Sequence, residues 1–161
     1  MAKYLQGRFT PKNPSKYKGD VSNIIYRSSW ELKALMYFDD NVNVLEYSSE
    51  ETIVRYRSPI DGKLHRYFVD FKIKIKDKDN NVRTILIEVK PEAQTKPPVV
   101  QNGKKPGKRY LTEIKTWGVN SAKWAAAREF CKNQGYEFEI ITERHLFNGR
   151  SSALYSFIKG N

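Results

Sequence analysis

Two stretches of alternating sequence, separated by a short polar segment, constrain this chain more than anything else in it. From Leu64 to Lys76, the residues Tyr67, Val69, Phe71, Ile73 and Ile75 fall on one face. Arg66, Phe68, Asp70, Lys72 and Lys74 fall on the other. From Arg83 to Lys90, Arg83, Ile85, Ile87 and Val89 share a face, and Thr84, Leu86, Glu88 and Lys90 share its opposite. A period of two is strand geometry. The intervening Asp77-Lys78-Asp79-Asn80-Asn81 is turn chemistry, so the pair predicts an antiparallel hairpin. Lys76 opposite Val82 sets Asp70 opposite Glu88, with Cβ atoms roughly 4.5–5.5 Å apart. Lys90 then emerges one step further along the same face, opposite Phe68.

Two carboxylates side by side on a sheet repel, and a hairpin kept for stability alone more often pairs a carboxylate with a lysine. A hard divalent cation relieves the repulsion, because Mg²⁺ takes one or two carboxylates and keeps several waters. A neighbouring lysine can hold a water or stabilise charge developing on a phosphoryl group. Asp70, Glu88 and Lys90 therefore predict a site for metal-assisted phosphodiester hydrolysis, which needs neither His nor Cys. The competing reading is an ordinary exposed strand face in a chain whose residues are 29% charged.

The 161 residues fit one domain with a proper core. The single cysteine, Cys131, has no partner for an internal disulfide, and its apolar helical neighbours predict a buried thiol and a reducing compartment. No apolar run approaches membrane-spanning length and no leader-like segment opens the chain, so a soluble, unsecreted protein of the cytoplasm is expected. The net charge is +11, and its location matters. Residues 1–30 carry six Lys/Arg against one Asp, and residues 91–135 carry nine against three acidic residues. The rest cancels. Such blocks favour a polyanion, nucleic acid ahead of a membrane surface because no basic amphipathic helix is apparent. A basic tail that merely aids solubility is the alternative for the first block.

Residues 1–21 contain Pro11, Pro14, Gly7 and Gly19 among the cations and show no period, which predicts an extended or disordered basic arm that could order on DNA or on a protein partner. Its Tyr4, Phe9 and Tyr17 suit nucleic acid or docking to a neighbouring subunit equally. Ser28 as N-cap and Glu31 three residues on form a capping box for a helix running to about Asp40. That box alone accounts for Glu31. Val42 to Arg57 reads as one or two strands, and Ser58-Pro59-Ile60-Asp61-Gly62 as a turn. His65 falls on the apolar face of the hairpin and is expected to be structural.

Pro91 to Lys108 is irregular, rich in Pro and Gly, and carries Lys96, Lys104, Lys105 and Lys108. A long irregular stretch in a compact domain predicts a functional loop, here one whose lysines reach a phosphate backbone at the hairpin. A plain surface insertion is the alternative. Arg109 to Trp117 predicts a short helix, and Asn120 or Ser121 a cap for a second one ending at Gly135. Arg109, Lys123 and Arg128 could face a substrate, but for Lys123 and Arg128 a solvated helix face is the preferred reading. Tyr136–Ile141 predicts a strand, Thr142 the cap of a helical turn through Leu146, and residues 150–161 a short helix or tail. A domain spanning residues 22–149 follows.

Together Trp30-Glu31, Arg66-Tyr67-Phe68-Val69-Asp70-Phe71, Glu88-Val89-Lys90, Lys123-Trp124 and Phe138-Glu139-Ile140-Ile141-Thr142-Glu143 resemble TnsA-like endonucleases. Within that group the sequence is similar to the head completion nucleases of large tailed phages. The resemblance spans roughly residues 25–147. It implies a restriction-endonuclease-like α/β fold of the PD-(D/E)xK superfamily, with a central mixed sheet flanked by helices. It also implies a Mg²⁺-dependent endonuclease, Mn²⁺ substituting, that cuts double-stranded DNA. Asp70, Glu88 and the Val89 carbonyl would hold metal, Lys90 would orient the attacking water, and Glu31 would complete the acidic cluster. The last role competes with the capping box. Where such motifs carry Pro before the first Asp, this chain has Val69. The implied setting is phage head completion in the host cytoplasm or virion, with DNA trimming or contact with portal and neck proteins. Cutting both strands makes a homodimer plausible. A DNA-binding connector that retains the fold, or a junction or transposition nuclease, are the competing functions.

Overall fold

A computed structural model of the chain describes residues 6–100, 103 and 105–147. At its centre a sheet of four strands runs in the order β3 (Val44–Ser49), β6 (Phe71–Lys76), β7 (Val82–Val89) and β8 (Glu137–Ile141). The first three are antiparallel, and β8 joins β7 in parallel. A parallel neighbour requires a long crossover, supplied by the 91–107 segment and α2 (Lys108–Gln134). Two short pairs complete the strands, β1 (Gly7–Arg8) with β2 (Ile25–Tyr26) and β4 (Ile53–Arg57) with β5 (Leu64–Phe68). Helix α1 (Ser29–Asp40) and the short α3 (Glu143–Phe147) finish the fold.

Both faces of the sheet are buried. On one, Phe71, Ile73, Ile75, Ile85 and Ile87 pack against Trp30, Leu35 and Phe38 of α1. On the other, Leu86 packs with Val54, Tyr67, Val69, Trp124, Ala127 and Cys131, between α2 and the β4–β5 hairpin. The buried Cys131 thiol donates to the Glu137 carbonyl at 3.5 Å, and burial pushes its pKa up to about 11. Gly135 ends α2 in the left-handed conformation, φ 75°, as its sequence position requires. No described helix is long and apolar enough to cross a membrane.

The register of β6 with β7 runs from Lys76 opposite Val82 to Phe71 opposite Ile87, as the turn and the alternation require. The run from Leu64 to Lys76 is, however, two strands. It breaks at Val69–Asp70, where β5 leaves the main sheet to pair with β4, so Phe68 lies opposite Ile53 rather than Lys90. Tyr67 and Val69 accordingly join the α2 side of the core while Phe71 joins the α1 side. The corner is pinned by two backbone bonds, Val69 N–H to the Thr52 carbonyl and Glu50 N–H to the Asp70 carbonyl, each 3.0 Å. Glu50 adopts φ 56° there, an uncommon conformation for a non-glycine residue. Its carboxylate pairs with Arg27 at 3.2 Å.

Three further expectations are corrected. The two helices expected from Arg109 onward are one, with Gly118 and Asn120 inside it. Trp117, Val119 and Trp124 all pack on the same core cluster, and that burial outweighs the roughly 1 kcal/mol a mid-helix glycine costs. His65 keeps its structural place on the Tyr56 side of the hairpin but is exposed there rather than covered, 2.8 Å from the Asp61 carboxylate. The basic arm is folded in. Phe9, Tyr17 and Ile24 are buried in the α1 side of the core, so the packed domain begins well before residue 22. The expected short helix or tail at 150–161 lies outside the described residues, as do Tyr4 and Lys104.

Buried Asp39 anchors the arm, accepting from Lys12 N–H at 2.9 Å, from Asn13 N–H at 3.3 Å and from the Tyr47 hydroxyl at 2.9 Å. Lys16 places its ammonium on the open carbonyls at the end of α1, those of Phe38, Asp39 and Asn41, at 2.7, 2.8 and 2.9 Å. Cations belong at that end of a helix. Replacing Lys16 with Met should therefore destabilise the fold by roughly 1.5–3 kcal/mol, the worth of charge-assisted hydrogen bonds. Urea unfolding followed by circular dichroism measures this. No change would mean that the arm is not coupled to α1.

Candidate active site

The ends of α1 and β7 and the corner before β6 meet at one cavity of about 260 Å³. Glu31, Asp70, Glu88, Val89 and Lys90 all line it, together with Ser28, Trp30 and Pro91. Each of the catalytic and metal-binding residues expected from sequence is thus brought to one place. Asp70 arrives there because the corner turns its side chain toward β7, where Oδ2 accepts the Val89 N–H at 2.8 Å. Glu88 arrives on the face of β7 that also carries Leu86, and is only 5% exposed. Lys90 follows the strand, its own N–H donating to the Ile141 carbonyl of β8 at 2.9 Å.

The electrostatics are those of an unsatisfied acidic site. Burial, and then the Glu88 carboxylate, push the Asp70 carboxyl well above the ordinary carboxylate range. Among the described residues, one oxygen of Glu88, Oε1, is buried without a hydrogen-bond partner, and so is the Tyr67 hydroxyl. Burial and the nearby charges of Glu88 and Asp70 push the Tyr67 phenol upward. A buried acceptor left unpaired is expensive, so this constellation is poorly explained as structural. Tyr67 was not expected here, because an uninterrupted strand would have sent it to the opposite face. The break at Asp70 brings it round.

Glu31 has a divided position. Its backbone N–H donates to the Ser28 Oγ at 3.2 Å, closing the cap. Its Oε2 accepts from the Arg27 N–H and the Ser28 hydroxyl, each at 3.2 Å. The cap therefore occupies Oε2, and the residue still lines the cavity, so capping and lining coexist. Burial raises the Glu31 pKa. Among the described residues no group of three or more His, Cys, Asp or Glu side chains is gathered closely enough to hold a metal ion alone. Two carboxylates and a backbone carbonyl are the donor set that remains, and Mg²⁺ asks no more of a protein than that.

The cations expected to meet DNA are distributed unevenly. Lys96 and Arg109 line a larger neighbouring cavity, Arg109 pairing with Glu113 at 3.1 Å. Lys105 and Lys108 are exposed where α2 begins. Lys123 sits over the rings of Tyr56 and Tyr67, 5.8 and 5.5 Å from their centroids. Arg128 lies over Phe138.

The profile of the family described as TnsA-like endonuclease N terminal matches residues 41–143. The chain belongs to this endonuclease family. The matched span holds Asp70, Glu88, Val89 and Lys90 and leaves Glu31 outside. The head completion nuclease of Enterobacteria phage T4 is 38% identical over 144 residues, which cover 85% of this chain and 90% of that protein. The mixed sheet with flanking helices is the restriction-endonuclease-like fold expected of the family.

The raised Asp70 pKa makes a stability prediction. A carboxyl whose pKa is higher folded than unfolded contributes stability that is present at low pH and lost as pH rises above the unfolded value, about 3.9. Asp70→Asn keeps an oxygen for the Val89 N–H and removes the charge. In chelated buffer its Tm should match the wild type near pH 3.5 and exceed it by several degrees at pH 7. A gap that closes with rising pH would show that Asp70 is not held against repulsion.

Proposed function

We propose that this endonuclease hydrolyses phosphodiester bonds in double-stranded DNA with a divalent cation, Mg²⁺ or in its place Mn²⁺. Asp70, Glu88 and the Val89 carbonyl are its ligands. The observation that carries the reading is the half-buried Asp70 facing Glu88, whose buried Oε1 has no hydrogen-bond partner among the described residues. Such a pair is stabilised when a cation joins it. A bound cation supplies charge neutralisation and Lewis-acid polarisation of the phosphoryl oxygen. Lys90, whose ammonium makes no ion pair with a described residue, holds and orients the attacking water and stabilises charge building on the phosphoryl oxygens. Asp70 is positioned by its bond to Val89, so one carboxylate oxygen is spent on geometry and the other is left for binding. Glu31 adds negative charge at the rim while fixing the start of α1.

Lys96, Lys105, Lys108 and Arg109, with Lys104 between them in sequence, provide a basic approach for the DNA backbone beside the cavity. Lys123 contributes less, since its ammonium is spent on two tyrosine rings. The phage T4 relative is named for head completion. By that likeness the protein acts when a filled phage head is finished, in the host cytoplasm or the virion. Its target there is packaged DNA close to portal and neck proteins, and a homodimer would serve cutting of both strands.

Supercoiled and linear duplex DNA incubated with Mg²⁺, Mn²⁺ or EDTA tests the reading. Cutting should require metal and fall roughly 10²–10³-fold in Lys90→Ala, the cost of losing one charge-stabilising donor. In the same buffers Mg²⁺ should raise the Tm of wild type and leave Asp70→Asn unmoved. Metal-independent cutting, or full activity in folded Lys90→Ala, would overturn it.

A further inference from the structure

A larger cavity lies beside the acidic one rather than within it. It measures about 590 Å³ and opens between the 91–98 segment and the first half of α2. That is within the roughly 300–1,000 Å³ usual for pockets that enclose small organic ligands. Trp30 and Pro91 line both cavities, so the two are contiguous. Its wall combines an aromatic ring, a buried amide and a balanced set of charges. Trp117 is half-buried, with its indole braced edge-to-face on Trp124, centroids 6.0 Å apart at 79°. Asn120 is 6% exposed, and its side-chain amide makes no hydrogen bond with a described residue. A side-chain amide in a cavity wall that is not bonded to a described residue offers the cavity a donor and an acceptor.

The charges decide what fits. Lys96 and Arg109 are offset by Glu113, which holds Arg109, and by Glu143, which accepts the Glu92 N–H at 3.0 Å. A cavity so nearly neutral is a poor phosphate site. It suits a flat, uncharged heterocycle with a hydrogen-bonding edge, while Lys105 and Lys108 outside it suit the backbone that carries one. We propose that this cavity receives an unpaired nucleobase of the DNA substrate, stacked on Trp117 and read at its edge by Asn120, next to the scissile phosphate. The inference rests on the nuclease reading and sharpens it. The preferred substrate is DNA with an unpaired nucleotide at the cut, a frayed or protruding end or a branch, rather than uniform duplex. A duplex base reaches such a cavity only by leaving the stack, which costs a few kcal/mol that an already unpaired base does not pay.

The test uses the full chain in EDTA, so that binding is read without cleavage. Two probes share one sequence, a blunt duplex and the same duplex with a short single-stranded extension whose first unpaired base is 2-aminopurine. The extended duplex should bind roughly tenfold tighter, the ratio one stacked base supplies, and the 2-aminopurine emission should be quenched in the complex. Trp117→Leu and Asn120→Leu should bring the affinity ratio close to one. Thr116→Phe, a filling substitution from an exposed position of α2 that lines the cavity, should do the same without touching the core. Equal affinity for both probes, unquenched 2-aminopurine, or a ratio that survives in folded Thr116→Phe would overturn the inference. Blunt duplex bound and, with Mg²⁺, cut without any preference would sink this inference and leave the nuclease standing. Failure to bind or cut any DNA would sink both.

Discussion

The hydrogen bond from the Val89 N–H to Asp70 Oδ2, 2.8 Å long, joins the two halves of the site. Asp70 stands at a corner where the chain leaves one sheet for another, and Val89 ends the central strand. Holding them together forces two carboxylates into a shared, poorly solvated space, a cost the protein meets by dividing the work among their oxygens. One Asp70 oxygen is satisfied by the backbone, while Glu88 Oε1 has no hydrogen-bond partner among the described residues. Everything around the pair resists its repulsion. The β6–β7 ladder fixes the register, β8 clamps the end of β7 through the Lys90 N–H, and the Glu50–Asp70 backbone bond closes the corner.

The register was legible because two independent signals agree on it. The Asp-rich turn sets which residues can pair, and the period of two sets which face each occupies, so a slip of one residue would exchange both faces. Asp70 and Glu88 could therefore be placed together without any knowledge of the fold. The corner was not legible for a related reason. Breaking the run at Val69–Asp70 leaves the alternation of apolar and polar residues undisturbed along the chain, and only the partner of β5 changes. Tyr67 was lost with it. The arm failed differently: Phe9, Tyr17 and Ile24 share no period, and Asp39, which anchors their segment, is 26 to 27 residues away from Asn13 and Lys12. The merged α2 turned on Gly118, a local break, and Asn120, a local helix start, both overruled by the packing of Trp117, Val119 and Trp124 around them.

Glu31 shows how one residue can satisfy two readings that seem exclusive. A carboxylate has two oxygens, and a cap formed through Oε2 uses one of them. The capping geometry holds the group in a single orientation at the head of α1, which is also what a site at the head of that helix requires. Among the described residues no three such side chains converge, and the two that face each other most directly are Asp70 and Glu88.

Val69 completes the argument about the corner. A proline at that position would fix φ and remove a backbone donor. Here the donor is used, since the Val69 N–H bonds the Thr52 carbonyl at 3.0 Å, and the side chain is fully buried on the α2 side of the core. The restraint that a pyrrolidine ring would impose covalently is supplied instead by a hydrogen bond and a packed isopropyl group. Both tie Asp70 to the β4–β5 hairpin, whose other face is covered by the helix that walls the larger cavity. Asp70 and the neighbouring cavity are thus positioned by one packed unit, so a change in how α2 sits on the hairpin would move both together.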